Sequence, residues 1–217
     1  MKKIVFIGAG SIIFVKNLIG DCMLTPYLCD SEFALLDINR EKLYLAEGML
    51  KNLNRNVNGG RATVKAYESQ REALAGADFV INAIQVGGYD PCIINDFEIP
   101  LKYGLRQTYA DTLGIGGIMR GLRTIPVMKG ITDDMEELCP NAWLLNYTNP
   151  MAIVTGAVLK SSSIKTIGLC HSVQSCIKNL MDVVGMDCTG VEYKIAGINH
   201  QAWLLEVPQD GRALYPE

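Results

Sequence analysis

Residues 2–11 read KKIVFIGAGS, and the fold turns on them. KKIVFIG, over 2–8, is a β-branched and aromatic run closed by glycine, the pattern of a buried strand. From Ser11 to Leu24 a helix is expected, stopped near Pro26. Gly8-Ala9-Gly10-Ser11 therefore falls at a strand-to-helix turn. Glycine at 8 permits the tight turn and glycine at 10 lets the backbone approach a pyrophosphate. The amino end of the helix then presents free N–H groups and its positive dipole end. Ile13 stands where a third glycine would complete the fingerprint, so the motif gains its meaning from its placement. Residues 33–37 (FALLD) predict a second strand ending in Asp37, 27 residues beyond Gly10, against a usual spacing of about 20. A carboxylate there bonds the adenosine ribose hydroxyls and repels a 2′-phosphate, favouring NAD over NADP. The competing reading is a structural glycine turn beside a solvated aspartate.

Outward from this turn, strand and helix patterns alternate. A helix is predicted from Asn39 to about Arg55, with Leu43, Ala46, Met49, Leu50 and Leu53 on one face. A third strand follows over 62–67, a short helix over 70–74, and a fourth strand over 78–84 (DFVINAI). Two more strands, 142–147 and 164–169, flank a helix over 150–160. Such alternation implies right-handed crossovers and an α/β, doubly wound, mostly parallel Rossmann-type sheet of the lactate/malate dehydrogenase kind. The pattern changes after about Val184, where strands at 191–196 and 202–207 lack an intervening helix. We expect a nucleotide-binding domain over 1–184 and, over 185–217, the beginning of an incomplete α+β domain.

Composition narrows the possibilities. The chain has 217 residues, and its 20 basic residues are outnumbered by 23 acidic ones and form no run, which argues against nucleic acid. No apolar stretch reaches the roughly 20 residues of a membrane-spanning helix. The start, MKKIVFIGAGSIIF, imitates a signal peptide until Gly8, Gly10 and Ser11 interrupt it. Seven cysteines without a CxxC pair do not make a disulfide framework. The expectation is a soluble, cytoplasmic protein.

Further polar groups fall at strand ends, where doubly wound sheets bind ligands. Asn82 and Gln85, in NAIQVGG, are placed to line the path of the cofactor, or belong to an ordinary turn. Asn149-Pro150 adds a rigid polar corner after the fifth strand. Asp111 lies in the glycine-rich loop YADTLGIGG, either to bind a sugar hydroxyl or to form a turn. Arg106, Arg120 and Arg123 suit an anion or structural pairing equally. The two histidines, His171 and His200, sit in CHS and NH steps beside strands. Lone histidines are usually structural, but the Cys170 thiolate with an imidazole makes a divalent-cation pair, and softness alone suggests zinc or iron. Two ligands leave the shell open to substrate or water.

GAGSIIF, FALLDIN, FVINAIQVGGYDP, DFEIPLKYGL, ADTLGIGGIMRGLRTIP, LNYTNPMA, GLCHSV and AGINHQAW together resemble glycoside hydrolase family 4, the NAD- and manganese-dependent glycosidases. CHSV at 170–173 with DTLGIGGIMR at 111–120 is most similar to the α-galactosidase members. The resemblance implies manganese held by Cys170 and His200, and substrate bound by Asn149. It also implies hydride removal from sugar C3, elimination across C1–C2, water addition and re-reduction, outside the two-carboxylate scheme. His171 is the candidate for assisting the leaving group, although the family often carries an acid there. Family members are about twice as long, and their C2 base is usually a tyrosine in the remaining portion. No base is assigned within 1–217. A sugar substrate and a homo-oligomeric full-length form are expected; part of the pocket is expected to lie beyond Glu217, and the 217-residue chain alone is expected to be inactive. The alternatives are a 2-hydroxy acid dehydrogenase, which the CHSV and NH pair fits poorly, and an NAD-binding module without turnover.

Overall fold

The computed structural model describes residues 1–107 and 112–214. A wholly parallel six-stranded sheet lies at its centre, in the order β3-β2-β1-β4-β5-β6. The strands are β1 (Lys3–Ile7), β2 (Glu32–Leu36), β3 (Thr63–Tyr67), β4 (Phe79–Asn82), β5 (Trp143–Asn146) and β6 (Lys165–Gly168). This is the Rossmann order, with its switch point between β1 and β4. Consecutive residues of β1 serve opposite layers: Ile4 and Phe6 join one buried cluster, Val5 and Ile7 the other. Burial on both faces explains the unbroken apolar run. Each such side chain contributes about 1.5–3 kcal/mol.

Helices α1 (Ile12–Leu24) and α2 (Arg40–Asn58) cover one face, through Val15, Ile19, Met23, Leu43 and Leu50. Asn39 caps α2 by accepting from the Lys42 N–H at 3.0 Å, and Gly59 ends it in the left-handed conformation. The opposite face is covered by α3 (Gln70–Leu74), α5 (Ile115–Leu138) and α6 (Met151–Ser161), which supply Leu74, Met128, Ile131, Met135 and Val154. An irregular turn at Gly88–Ile93 leads into α4 (Ile94–Lys102).

Neither α4 nor the 24-residue α5 was expected from the sequence. In particular, Gly116 and Gly117 of the presumed glycine-rich loop form the first turn of α5. A side chain at Gly116 would collide with the Asp96 carbonyl of α4, and one at Gly121 would lie 2.8 Å from Ile153 Cγ2 of α6. These glycines let three helices approach closely.

After α7 (Ser172–Val184), ended by left-handed Gly185, the chain forms an antiparallel hairpin of β7 (Lys194–Ile198) and β8 (Gln201–Glu206). A smaller pair, β9 (Pro208–Gln209) and β10 (Arg212–Ala213), follows. The strand expected at 191–196 therefore starts later, and Val191 instead bridges to Gln209. Among the described residues, no helix is long and apolar enough to cross a membrane.

Candidate functional site

The glycine turn between β1 and α1 is built around Asp37. Gly8 adopts φ +93°, and a side chain there would run into the Ala83 carbonyl after β4. The N–H groups of Gly8 and Ala9 both donate to the Leu36 carbonyl, at 2.9 and 3.1 Å. Asp37 then grips the turn, with Oδ2 accepting from the Gly10 N–H at 2.6 Å and Oδ1 from the Asn39 N–H at 2.8 Å. A Cβ on Gly10 would stand 2.7 Å from Asp37 Oδ2, so the space left by this glycine is the carboxylate's. Ser11 precedes α1 without a side-chain cap, and no acid occupies the first turn. The positive end of the helix dipole is left for an anion.

Asn82 is placed beneath the site rather than along it. It is fully buried, and its amide donates to Asn146 Oδ1 at 3.0 Å and Thr148 Oγ1 at 2.8 Å. Thr148 Oγ1 also accepts from the Ile84 N–H at 2.9 Å, while Asn146 donates to Thr155 Oγ1 at 3.1 Å. This polar plug joins the carboxyl ends of β4 and β5 and fixes the segment leading to Gln85. Sequence reading missed Asn146, Thr148 and Thr155; the signal was asparagine at the ends of two strands, which adjacency in the sheet turns into a pair.

A cavity of about 1430 Å³ lies between the carboxyl ends of β4–β6 and the β7–β8 hairpin. Gln85, Asn149, Cys170, His171 and His200 all border it, together with Phe14, Arg120 and Tyr147. Tyr147 meets Phe14 edge-on at a centroid distance of 4.9 Å. Of the arginines, Arg123 proves structural: it forms a two-bond pair with buried Asp96, at 2.6 and 3.2 Å, and donates to the Val86 carbonyl at 3.3 Å. Asp111 lies outside the described residues. His171 stands exposed at the head of α7.

Cys170 Sγ lies 3.4 Å from His200 Nε2 and 3.1 Å from Ser172 Oγ, and the Ser172 N–H donates to it at 3.4 Å. Burial pushes the Cys170 thiol up, but hydrogen bonds from Ser172, Asn199 and His200 outweigh it and hold the group below the ordinary thiol range. This environment favours thiolate, the form that ligates metal. His200 has φ +58°, uncommon for a residue with a side chain, and sits in the turn between β7 and β8. Beside it, Asn199 Oδ1 is buried without a hydrogen-bond partner among the described residues.

No group of three or more His, Cys, Asp or Glu side chains able to hold a metal occurs among the described residues. The thiol–imidazole pair itself fits one ion. Ligands about 2.3 Å (sulfur) and about 2.1 Å (nitrogen) from an ion, at angles of roughly 90–110°, lie roughly 3.1–3.6 Å apart, which brackets the observed gap. Such a pair leaves positions for oxygen ligands from water or a bound hydroxyl.

Known proteins carry this chain's pattern closely. It is 60% identical, over its whole length, to an α-galactosidase of Bacillus subtilis (strain 168), of which it covers 50%. Over 97% of its length it is 39% identical to an α-galactosidase of Rhizobium meliloti (strain 1021), covering 43% of that protein. The 6-phospho-β-glucosidase of Thermotoga maritima, solved with manganese, NAD+ and glucose 6-phosphate, superposes with a TM-score of 0.82 at 27% identity, over 99% of this chain and 50% of that one. The chain thus spans about half the length of these relatives. The model describing family 4 glycosyl hydrolases matches residues 3–186, and the chain belongs to that family.

Proposed function

We propose that this chain is the cofactor- and metal-binding part of an NAD- and manganese-dependent glycosidase acting on α-galactosides. The observation that carries the reading is the Cys170–His200 pair, 3.4 Å apart, in a cavity that reaches Phe14 just beyond the glycine turn. The 60% identity to an α-galactosidase supports the choice of sugar. Residues 1–184 are the nucleotide-binding unit in this reading, and 185–217 open the substrate region.

When bound, NAD supplies a reversible hydride acceptor and manganese a Lewis acid, the chemistry that permits oxidation at sugar C3, elimination across C1–C2, water addition and re-reduction without net redox change. The chain's own residues bind and orient. Asp37 would accept hydrogen bonds from the ribose hydroxyls, and Gly8, Gly10 and Ser11 leave the α1 terminus to the pyrophosphate. Gln85, held by the plug that Asn82 anchors, borders the inner end of the cofactor path. Cys170 Sγ and His200 Nε2 would hold the ion, while Asn149 and Asp111 would hydrogen-bond sugar hydroxyls. His171 carries a proton to the departing glycosidic oxygen. The hairpin walls the cavity and restricts water.

The test incubates the full-length protein and, separately, the 217-residue chain with NAD, Mn2+ and a nitrophenyl α-galactoside deuterated at C2. Release of nitrophenol with deuterium lost to solvent, requiring both NAD and metal, supports the reading. Hydrolysis that needs neither refutes it. Net NADH formation with a 2-hydroxy acid supports a dehydrogenase instead, and NAD binding without turnover supports a binding module.

A further inference from the structure

Thr112, just ahead of α5, reaches the turn that carries His200. Thr112 Oγ1 donates to the backbone carbonyl of Asn199 at 2.7 Å, across 87 residues of sequence. Asn199 and His200 form the turn between β7 and β8, and His200 Nε2 lies 3.4 Å from Cys170 Sγ. The Asn199 carbonyl and the His200 N–H belong to one planar peptide unit. A bond to that carbonyl restrains the plane, and because Gln201 on the other side is held in β8, the torsion about the His200 N–Cα bond is restrained with it. That torsion is +58°, a left-handed value that a histidine does not favour by itself.

We propose that Thr112 is a positioning residue for His200: its hydroxyl locks the Asn199–His200 peptide and so aims Nε2 at the ion shared with Cys170. The inference rests on the reading of Cys170 and His200 as metal ligands.

Mn2+ is titrated into the chain and free Mn2+ is followed by its electron paramagnetic resonance signal, for wild type and for Thr112→Ser, Thr112→Val and Thr112→Ala. Losing a partner that orients a ligand weakens metal affinity by roughly 10–100-fold. Thr112 acts through one intervening peptide, so about a three- to tenfold weakening is expected for valine and alanine. Serine, which keeps the hydroxyl, should bind as wild type does. If valine and alanine bind as tightly as wild type, or serine is as weak as they are, the inference is overturned. The alanine variant supplies the test should the valine variant fail to fold. If wild type itself leaves the free Mn2+ signal unchanged, the metal reading fails and takes the inference with it. A failure confined to the variants overturns the inference alone.

Discussion

Replacing Gly10 with alanine separates the fold of the glycine turn from its use. The new Cβ would lie 2.7 Å from Asp37 Oδ2, 3.0 Å from its Cγ and 3.2 Å from Lys42 Cβ. The carboxylate must retreat by about 0.7 Å to restore ordinary contact. Its 2.6 Å bond from the Gly10 N–H is stretched to about 3.3 Å and weakened in doing so, while the bond from Asn39 can persist. A hydrogen bond to a charged group contributes about 1.5–3 kcal/mol, and partial exposure of Asp37 reduces this to about 1–2 kcal/mol. The melting temperature should fall by about 2–8 °C. If Asp37 binds the ribose as proposed, the same movement displaces it, and the dissociation constant for NAD should rise about five- to thirtyfold. Calorimetric titration with NAD reads the second effect and a thermal melt the first. A variant that melts lower yet binds NAD within about twofold of wild type would refute the assignment of Asp37 to the ribose.

Gly8→Ala meets both the +93° torsion and the Ala83 carbonyl; neither yields easily, so urea unfolding should show a loss of about 2–4 kcal/mol, and a loss below 1 kcal/mol would contradict that geometry. Asp96→Asn leaves Arg123 without its charge partner in a pair whose acid side chain is 5% exposed; a cost of about 2–4 kcal/mol is expected in the same assay, and a neutral result would show the pair to be dispensable. Asp78 is held below the usual carboxylate range by the Lys3 N–H, at 2.8 Å, and by Lys2 Nζ, at 2.9 Å. Its lowered folded-state value means that the stabilisation is present above the unfolded value of about 3.9 and is lost as pH falls through the folded one. Asp78→Asn should therefore lower the melting temperature at pH 7, by about 1 kcal/mol of stability, and make progressively less difference below about pH 4; an equal difference at both pH values would speak against the shift.

The sheet was legible because its strands announce themselves locally. Residues 3–7 and 32–36 are apolar runs between turn residues, and the six expected strands all occur, with ends that differ by a residue or two. Helix α5 was hidden by its own sequence, since Gly116, Gly117, Gly121 and Pro126 are poor helix formers. They are accommodated because α4 and α6 pack against the glycines, a tertiary fact that no window along the chain contains. For the same reason Asn82 read as a cofactor residue when its surroundings make it part of a buried plug. Cys170 and His200 were each suspicious alone, 30 residues apart; only the hairpin's fold across the sheet edge puts sulfur beside nitrogen. Thr112 carried no signal at all, because its partner is a backbone carbonyl, which every residue possesses.

The hairpin that brings His200 to Cys170 is also where metal binding should be felt in the fold. β7 and β8 form a two-stranded sheet of their own, separate from the six central strands. Such a pair is marginally stable alone, and it exposes Trp203 and Leu205 by 71% and 51%. The Cys170–His200 contact and the Thr112–Asn199 bond reach it from the larger part of the chain. Local opening should thus release the hairpin without unfolding the central sheet. An ion held by both Cys170 and His200 binds only the closed state. At a free concentration about 100 times its dissociation constant it favours that state by about 2.7 kcal/mol. Amide exchange within 194–206 should then slow about a hundredfold on adding Mn2+, return to its former rate with a chelator, and leave β1–β3 unchanged. In Cys170→Ser the effect should be largely lost. Equal slowing throughout the central sheet would mean that the hairpin opens only with the whole fold, and protection that survives in the serine variant would place the ion elsewhere.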